Sequence, residues 1–131
     1  MSGKASRAAR GKTAERYGRF AENLCAGLLW CKGYRVLERR YRTPLGEIDV
    51  IAKRGQTLVF VEIKARENLD SAGEAIGQRQ QARIFRAAEH FLSVRPELVD
   101  AEMRFDAMLV GRNGWPRHVK DAWRGGLDGV R

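Results

Sequence analysis

Apolar positions follow two periodicities along the chain, and the switches between them mark out its elements. From Ala14 to Lys32, the residues Tyr17, Phe20, Ala21, Leu24, Cys25, Leu28 and Leu29 recur at helical spacing and predict an amphipathic helix. Gly33 follows where a helix-ending glycine belongs. Tyr34 to Leu37 predicts a short strand. Gly46 to Lys53 and Thr57 to Arg66 predict two longer strands around an Arg54-Gly55 hairpin turn. Asn68 to Gly73 reads as a loop. A second helix is expected from Glu74 or Gln78 to Val94, striped by Ile84, Phe85, Ala88, Phe91 and Leu92 and ending before Pro96. Glu102 to Val110 predicts a further strand, and Pro116 to Lys120 a last one.

The order helix, three strands, helix, strand predicts an α/β domain flanked by helices. The first three strands can form an antiparallel meander. The second helix then serves as a crossover that sets the next strand parallel to the third, giving a mixed sheet. With 131 residues the chain has the length of one domain. The expected division is a flexible basic arm at 1–13, the domain at 14–120 and a mobile tail at 121–131.

Charge narrows the class of partner. Lys and Arg number 25 against 16 Asp and Glu, a formal net charge of +9. Such an excess favours a polyanion, nucleic acid ahead of an anionic membrane, although a merely basic soluble protein has the same composition. No apolar run approaches the roughly 18 residues of a membrane span. Cys25 and Cys31, six residues apart on one predicted helix, would be separated by about 9 Å, too far for a disulfide, which is limited to about 7 Å. They read as reduced thiols of a cytoplasmic protein. The acid-poor N-terminus also suits an organelle presequence, but a cationic arm is the preferred reading.

The run Leu58-Val59-Phe60-Val61-Glu62-Ile63-Lys64-Ala65 would be a buried central strand but for two charges. Alternation puts Leu58, Phe60, Glu62 and Lys64 on one face. Burying either charge without a partner costs several kcal/mol, so a chemical role is indicated. The alternative is a strand end emerging into solvent with a surface ion pair. With Arg54-Gly55 as the turn, Lys53 opposes Gln56, and Asp49 opposes Phe60 on the face of Glu62 and Lys64, diagonal to Glu62. A two-residue shift in the right direction would set Asp49 directly opposite Glu62. Glu47 shares that face. Two carboxylates about 4 Å apart repel by about 4 kcal/mol at an effective dielectric near 20. Mg²⁺ or Mn²⁺ held by Asp49, Glu62 and the Ile63 carbonyl would offset this, with Lys64 orienting a water, a set suited to phosphodiester hydrolysis. Glu22 borders the apolar stripe of the first helix, where it can overhang the sheet; alone it reads as an ordinary boundary glutamate.

At these residues the sequence resembles the PD-(D/E)XK nuclease superfamily and, more closely, its YraN-like bacterial family. Gly46-Glu47-Ile48-Asp49 looks like that family's GEID signature, and Val59-Phe60-Val61-Glu62-Ile63-Lys64-Ala65-Arg66 like its VFVEVKxR signature. Gly18 to Glu22 looks like its first-helix glycine and glutamate segment, and Arg104-Phe105-Asp106 like its RFD strand. The likeness covers about Ala14 to Val110. The family is similar in fold to archaeal Holliday-junction resolvases, which implies a restriction-endonuclease-like αβββαβ core. It further implies that Asp49 and Glu62 are metal ligands, Lys64 the catalytic lysine and Glu22 a helix-borne acid of the catalytic site. The sequence departs from the family at Ala21, where glycine is expected, at Arg79, where lysine is usual, and at Arg40, where asparagine is expected.

Arg66, Arg79, Gln80 and Arg83, with Arg40 and Arg42, are candidates for gripping phosphates; a solvated basic face is the alternative. His90 reads as a surface residue, and His118 has no cluster of metal-ligating neighbours in sequence. Asp106 reads as structural, and Phe105, Trp115 and Trp123 as packing residues. The function expected is a divalent-metal-dependent endonuclease acting on DNA, branched or damaged substrates included. The alternative is a nucleic-acid-binding protein on a nuclease-like fold without turnover. Cutting branched DNA takes paired incisions, so a homodimer is the assembly to look for.

Overall fold

The computed structural model describes residues 18–65, 76–111 and 115–124. The expected basic arm, the Asn68 to Gly73 loop, Arg66 and the Gly125-Gly126 tail lie outside the described residues.

Helix α1 (residues 18–31) leads into three strands, β1 (Arg35–Thr43), β2 (Gly46–Arg54) and β3 (Thr57–Ala65). Helix α2 (Gln78–Val94) and a 3-10 turn at Pro96–Leu98 follow, then β4 (Glu102–Val110) and β5 (Arg117–Trp123). The strands form one sheet in the order β1-β2-β3-β4-β5. All neighbours are antiparallel except β3 and β4, which run parallel from Thr57↔Glu102 to Ala65↔Val110. The meander and the parallel crossover are those the element order predicts, and β5 completes the sheet.

β3 lies at the centre and is apolar on both faces. Leu58 and Phe60 pack with Ile84, Ala87, Ala88 and Phe91 of α2, whereas Val59 and Val61 pack with Ala21, Cys25 and Leu29 of α1. The sheet is therefore sandwiched between two helices, each presenting one stripe. α1 stops at Gly33, whose φ of 90° lets the Gly33 N–H reach the Trp30 carbonyl at 3.0 Å and the Tyr34 N–H reach Leu29 at 2.9 Å. This pair of bonds is the Schellman closure. Cys25 is buried and Cys31 exposed, both free. Burial, followed by the charges of Asp49 and Glu22, pushes the Cys25 thiol up to about 12, so it packs rather than reacts. No helix among the described residues is long and apolar enough to cross a membrane.

Several expectations are corrected. β1 runs on to Thr43, well past Leu37, because it pairs with the whole of β2. β5 runs to Trp123, which is buried beside Phe105, so the last strand goes past the expected Lys120. Trp115 is 79% exposed and does not pack. The β2–β3 turn is Gly55-Gln56, with Arg54 opposite Thr57, because glycine takes the first central position at φ 61°. The register is thereby displaced by two residues from the one predicted.

His118 also has a partner that sequence spacing hid. Its Nε2 lies 2.8 Å from Asp106 Oδ2 and its Nδ1 2.6 Å from Lys32 Nζ, at the far end of α1 from Glu22. Arg104 donates twice to Asp106, at 2.9 and 2.8 Å, and once to the Tyr34 hydroxyl. Burial alone would push the Asp106 carboxyl up, but His118, Arg104 and the Asp121 N–H outweigh it and hold the group at about 2. Asp106 is thus a structural carboxylate tying β4 to β5 and to the end of α1.

Gly46, at the start of β2, lies under the α2 backbone. A Cβ there would sit 2.5 Å from the Arg83 carbonyl oxygen and 2.9 Å from its carbon. Gly46→Ala should therefore destabilise the fold by about 1–3 kcal/mol through overpacking. Gly27→Ala, in α1 with nothing within 4 Å, should stabilise it by about 0.5–1 kcal/mol. Urea denaturation of both variants checks the pair, and equal effects would contradict the contact.

Candidate active site

The ladder between β2 and β3 ends at Val50↔Val61. One residue further, the Asp49 side chain accepts the Ile63 main-chain N–H at 2.8 Å, standing in for a backbone partner. The alternation of β2 breaks at the same point. Ile48 and Ile51 belong to the α2-side core, while Val50 and Ala52 belong to the α1-side core. Residues 48 and 50 would share a face in a regular strand, so the chain is irregular around Asp49. Asp49 accordingly lines a cleft beneath α1 and also reaches Glu62, whose place in the β3 alternation is on the α2 side.

The Asp49 side chain lies beside that of Glu62, near enough to act on its ionisation. Glu62 is 5% exposed and accepts from Gln80 Nε2 at 2.8 Å. Lys64 Nζ lies 4.0 Å from the same oxygen, Glu62 Oε2. Burial is the main cause that raises the Glu62 carboxyl to about 8; the neighbouring Asp49 adds to it, while Gln80 and Lys64 oppose it. The predicted trio of Asp49, Glu62 and Lys64 therefore meets in space. It does so through the two-residue register shift and a bend at Asp49, rather than by placing Asp49 over Phe60.

Glu22 is buried at the other side of the cleft, which has a volume of about 360 Å³ and is also lined by Arg19, Arg40, Arg42 and Ile63. Its two oxygens accept from Arg39 Nε at 2.9 Å and Arg40 Nε at 2.7 Å. Arg39 also donates to Asn23 at 2.5 Å. Arg40, beside Asp49 in the β1–β2 pairing, has a φ of 53°. Asparagine tolerates that left-handed region better than arginine, which accounts physically for the asparagine expected there.

Arg79 and Arg83 are exposed on α2. Gln80, grouped with them as a nucleic-acid contact, instead faces Glu62. A signal for this was present, because Gln80, Ile84, Ala87 and Phe91 fall on one helical stripe. Arg39 was missed because a charged residue on an edge strand carries no pattern of its own. Glu47 is exposed and pairs with Arg42 at 3.4 Å, apart from the buried acids. His90 is exposed and bonds the Tyr41 hydroxyl at 2.8 Å.

No three His, Cys, Asp or Glu residues are grouped to hold a metal ion among the described residues. The donors that do converge, two carboxyl groups beside the Ile63 backbone, are all oxygen and suit a hard divalent cation.

A family model described as uncharacterised protein family UPF0102 matches residues 21–110. A UPF0102 protein of Parvibaculum lavamentivorans is 50% identical over 116 residues, covering 88% of this chain and 87% of that one. One from Bradyrhizobium diazoefficiens is 50% identical over 110 residues, covering 84% and 83%. Among solved structures, a Holliday junction resolvase, Hjc of Archaeoglobus fulgidus, aligns over 80% of this chain and 73% of its own with a TM-score of 0.49 and 18% identity.

The raised Glu62 carboxyl makes stability depend on pH. A folded-state value above the unfolded one favours the fold below the unfolded value of 4.5, and that advantage is lost as pH rises through about 8. In EDTA, the melting temperature of the unmodified chain should therefore fall between about pH 5 and pH 8, and Glu62→Gln should flatten this slope. Parallel slopes for the two proteins would show that Glu62 is not the group responsible.

Proposed function

The chain belongs to the uncharacterised protein family UPF0102, and from the geometry of its site we propose that it is a divalent-metal-dependent endonuclease hydrolysing phosphodiester bonds in DNA, branched or damaged DNA included. The observation that carries this reading is the juxtaposition of Asp49 and Glu62 with Lys64 Nζ 4.0 Å from Glu62. Burying the Glu62 carboxyl beside the half-buried Asp49 is costly, and a surface pair would not explain it. Their resemblance to the D…ExK arrangement of PD-(D/E)XK nucleases, with the net charge of +9, supports a nucleic-acid substrate.

Asp49, Glu62 and the Ile63 carbonyl would hold Mg²⁺ or Mn²⁺. When bound, the ion supplies Lewis acidity toward a phosphoryl oxygen and lowers the pKa of a water. The other roles belong to the protein. Gln80 fixes the Glu62 carboxyl from α2, and the Ile63 N–H fixes Asp49 from β3. Lys64 sets a positive charge where the attacking water and the phosphate meet, orienting the one and stabilising charge that develops on the other. The exposed Arg79 and Arg83, with Arg66, would bind backbone phosphates without reading bases. Paired incisions on a branched substrate would draw on two copies of the chain.

The test is a panel of labelled linear, nicked and branched DNAs incubated with Mg²⁺ or Mn²⁺. Lys64→Ala should lower cleavage by about 10²–10³ or more while leaving binding within about threefold, since Lys64 acts on the transition state. Glu62→Ala should abolish cleavage. Binding without any cutting by the unmodified protein would instead make it a nucleic-acid-binding protein on this fold.

A further inference from the structure

Glu22 stands in an environment that does not suit a metal ligand. Both of its oxygens are occupied by guanidinium donors, Arg39 Nε at 2.9 Å and Arg40 Nε at 2.7 Å. The acid is 8% exposed, so releasing those donors would leave a buried charge unpaired. Its effect falls on the arginines. Arg40 is held at a φ of 53°, on the strand position beside Asp49, and turns from β1 to the α1 side of the sheet. A non-glycine residue persists in that region when its surroundings over-determine it, and the Glu22 pair is such a restraint. The cleft reached in this way has about 360 Å³ and carries Arg19, Arg40 and Arg42 against the acids Glu22 and Asp49. It ends at Asp49, one side chain from Glu62.

We propose that this cleft is a phosphate subsite for the nucleic-acid strand, and that Glu22 is a positioning residue that works through Arg40 and Arg39 rather than a ligand of the metal ion. The ligand is a backbone phosphodiester adjacent to the one at the carboxylates. Arginine presents a planar fork that matches two phosphate oxygens, and the fork is useful only when its plane is fixed. Glu22 fixes it from one edge, and Asn23 does the same for Arg39. The inference rests on the nucleic-acid reading but not on cleavage.

The experiment uses fluorescence anisotropy of a short labelled DNA duplex in EDTA across a salt series, with Glu22→Gln, Arg40→Gln and the double variant. Removing an acid raises net positive charge, so by charge alone Glu22→Gln should tighten binding. The positioning role predicts the opposite sign, a loss of about three- to tenfold with the salt slope reduced by about one. The double variant should bind no more weakly than Arg40→Gln, because the two residues act as one unit. Mn²⁺ affinity, read by electron paramagnetic resonance of the free ion, should change by less than about twofold in Glu22→Gln, because the ion's donors lie elsewhere.

Unchanged or tighter DNA binding by Glu22→Gln overturns the proposal, as does a tenfold loss of Mn²⁺ affinity. If the buried substitution unfolds the chain, Arg40→Gln at its exposed position carries the test alone, and unaltered DNA affinity there overturns it. DNA binding with the expected cycle but no cutting would remove the nuclease reading and leave this one standing.

Discussion

Two neighbouring carboxylic acids, Glu62 buried and Asp49 half-buried, set the terms for the rest of this molecule. Asp49 and Glu62 meet where the hydrogen-bond ladder of β2 and β3 opens, and neither can be accommodated without further groups. The Ile63 N–H, the Gln80 amide and the Lys64 ammonium each answer part of that demand. They come from a strand, a helix and the strand again, so the parallel crossover through α2 is needed to assemble them. The proton retained by Glu62 up to about pH 8 records how incompletely these groups compensate.

The sheet divides the site into two unlike halves. On the α2 side are Gln80, Glu62 and Lys64, a compact set suited to chemistry. On the α1 side, Glu22 and the arginines of β1 form a broader basic cleft. Asp49 is common to both because its side chain fills a gap in the ladder and so escapes the face that strand alternation would impose. A strand passing one acid between two faces is unusual geometry, and the irregular backbone at Asp49 and the left-handed Arg40 opposite it are its local expression.

Much of this was legible in residue order. The alternation of β3, the stripe of α2 and the Gly33 stop follow from local rules that tertiary contacts did not override. Glu62 and Lys64 announced themselves as charges in an apolar strand. The hairpin register was not legible, because Arg54-Gly55 and Gly55-Gln56 differ only in which central position needs a positive φ, and the choice moves every pairing by two residues. Long-range pairs were also hidden. Nothing near His118 in sequence points to Asp106 and Lys32, and nothing near Glu22 points to Arg39 and Arg40, since each contact exists only once α1 lies across the sheet. Trp115 misled by composition, as one exposed aromatic residue leaves no trace in a periodicity.

The missing side chain at Gly46 gives the site a hinge pin made of main chain. With the Arg83 carbonyl seated directly on that glycine, the start of β2 and the middle of α2 form one joint. Asp49 lies three residues along one arm and Gln80 three residues back along the other. The span between the two arms is thus set by backbone against backbone, and it is indifferent to whichever side chains project outward from α2. Substitutions at the outward-facing arginines would therefore leave the spacing of the acids beneath unchanged.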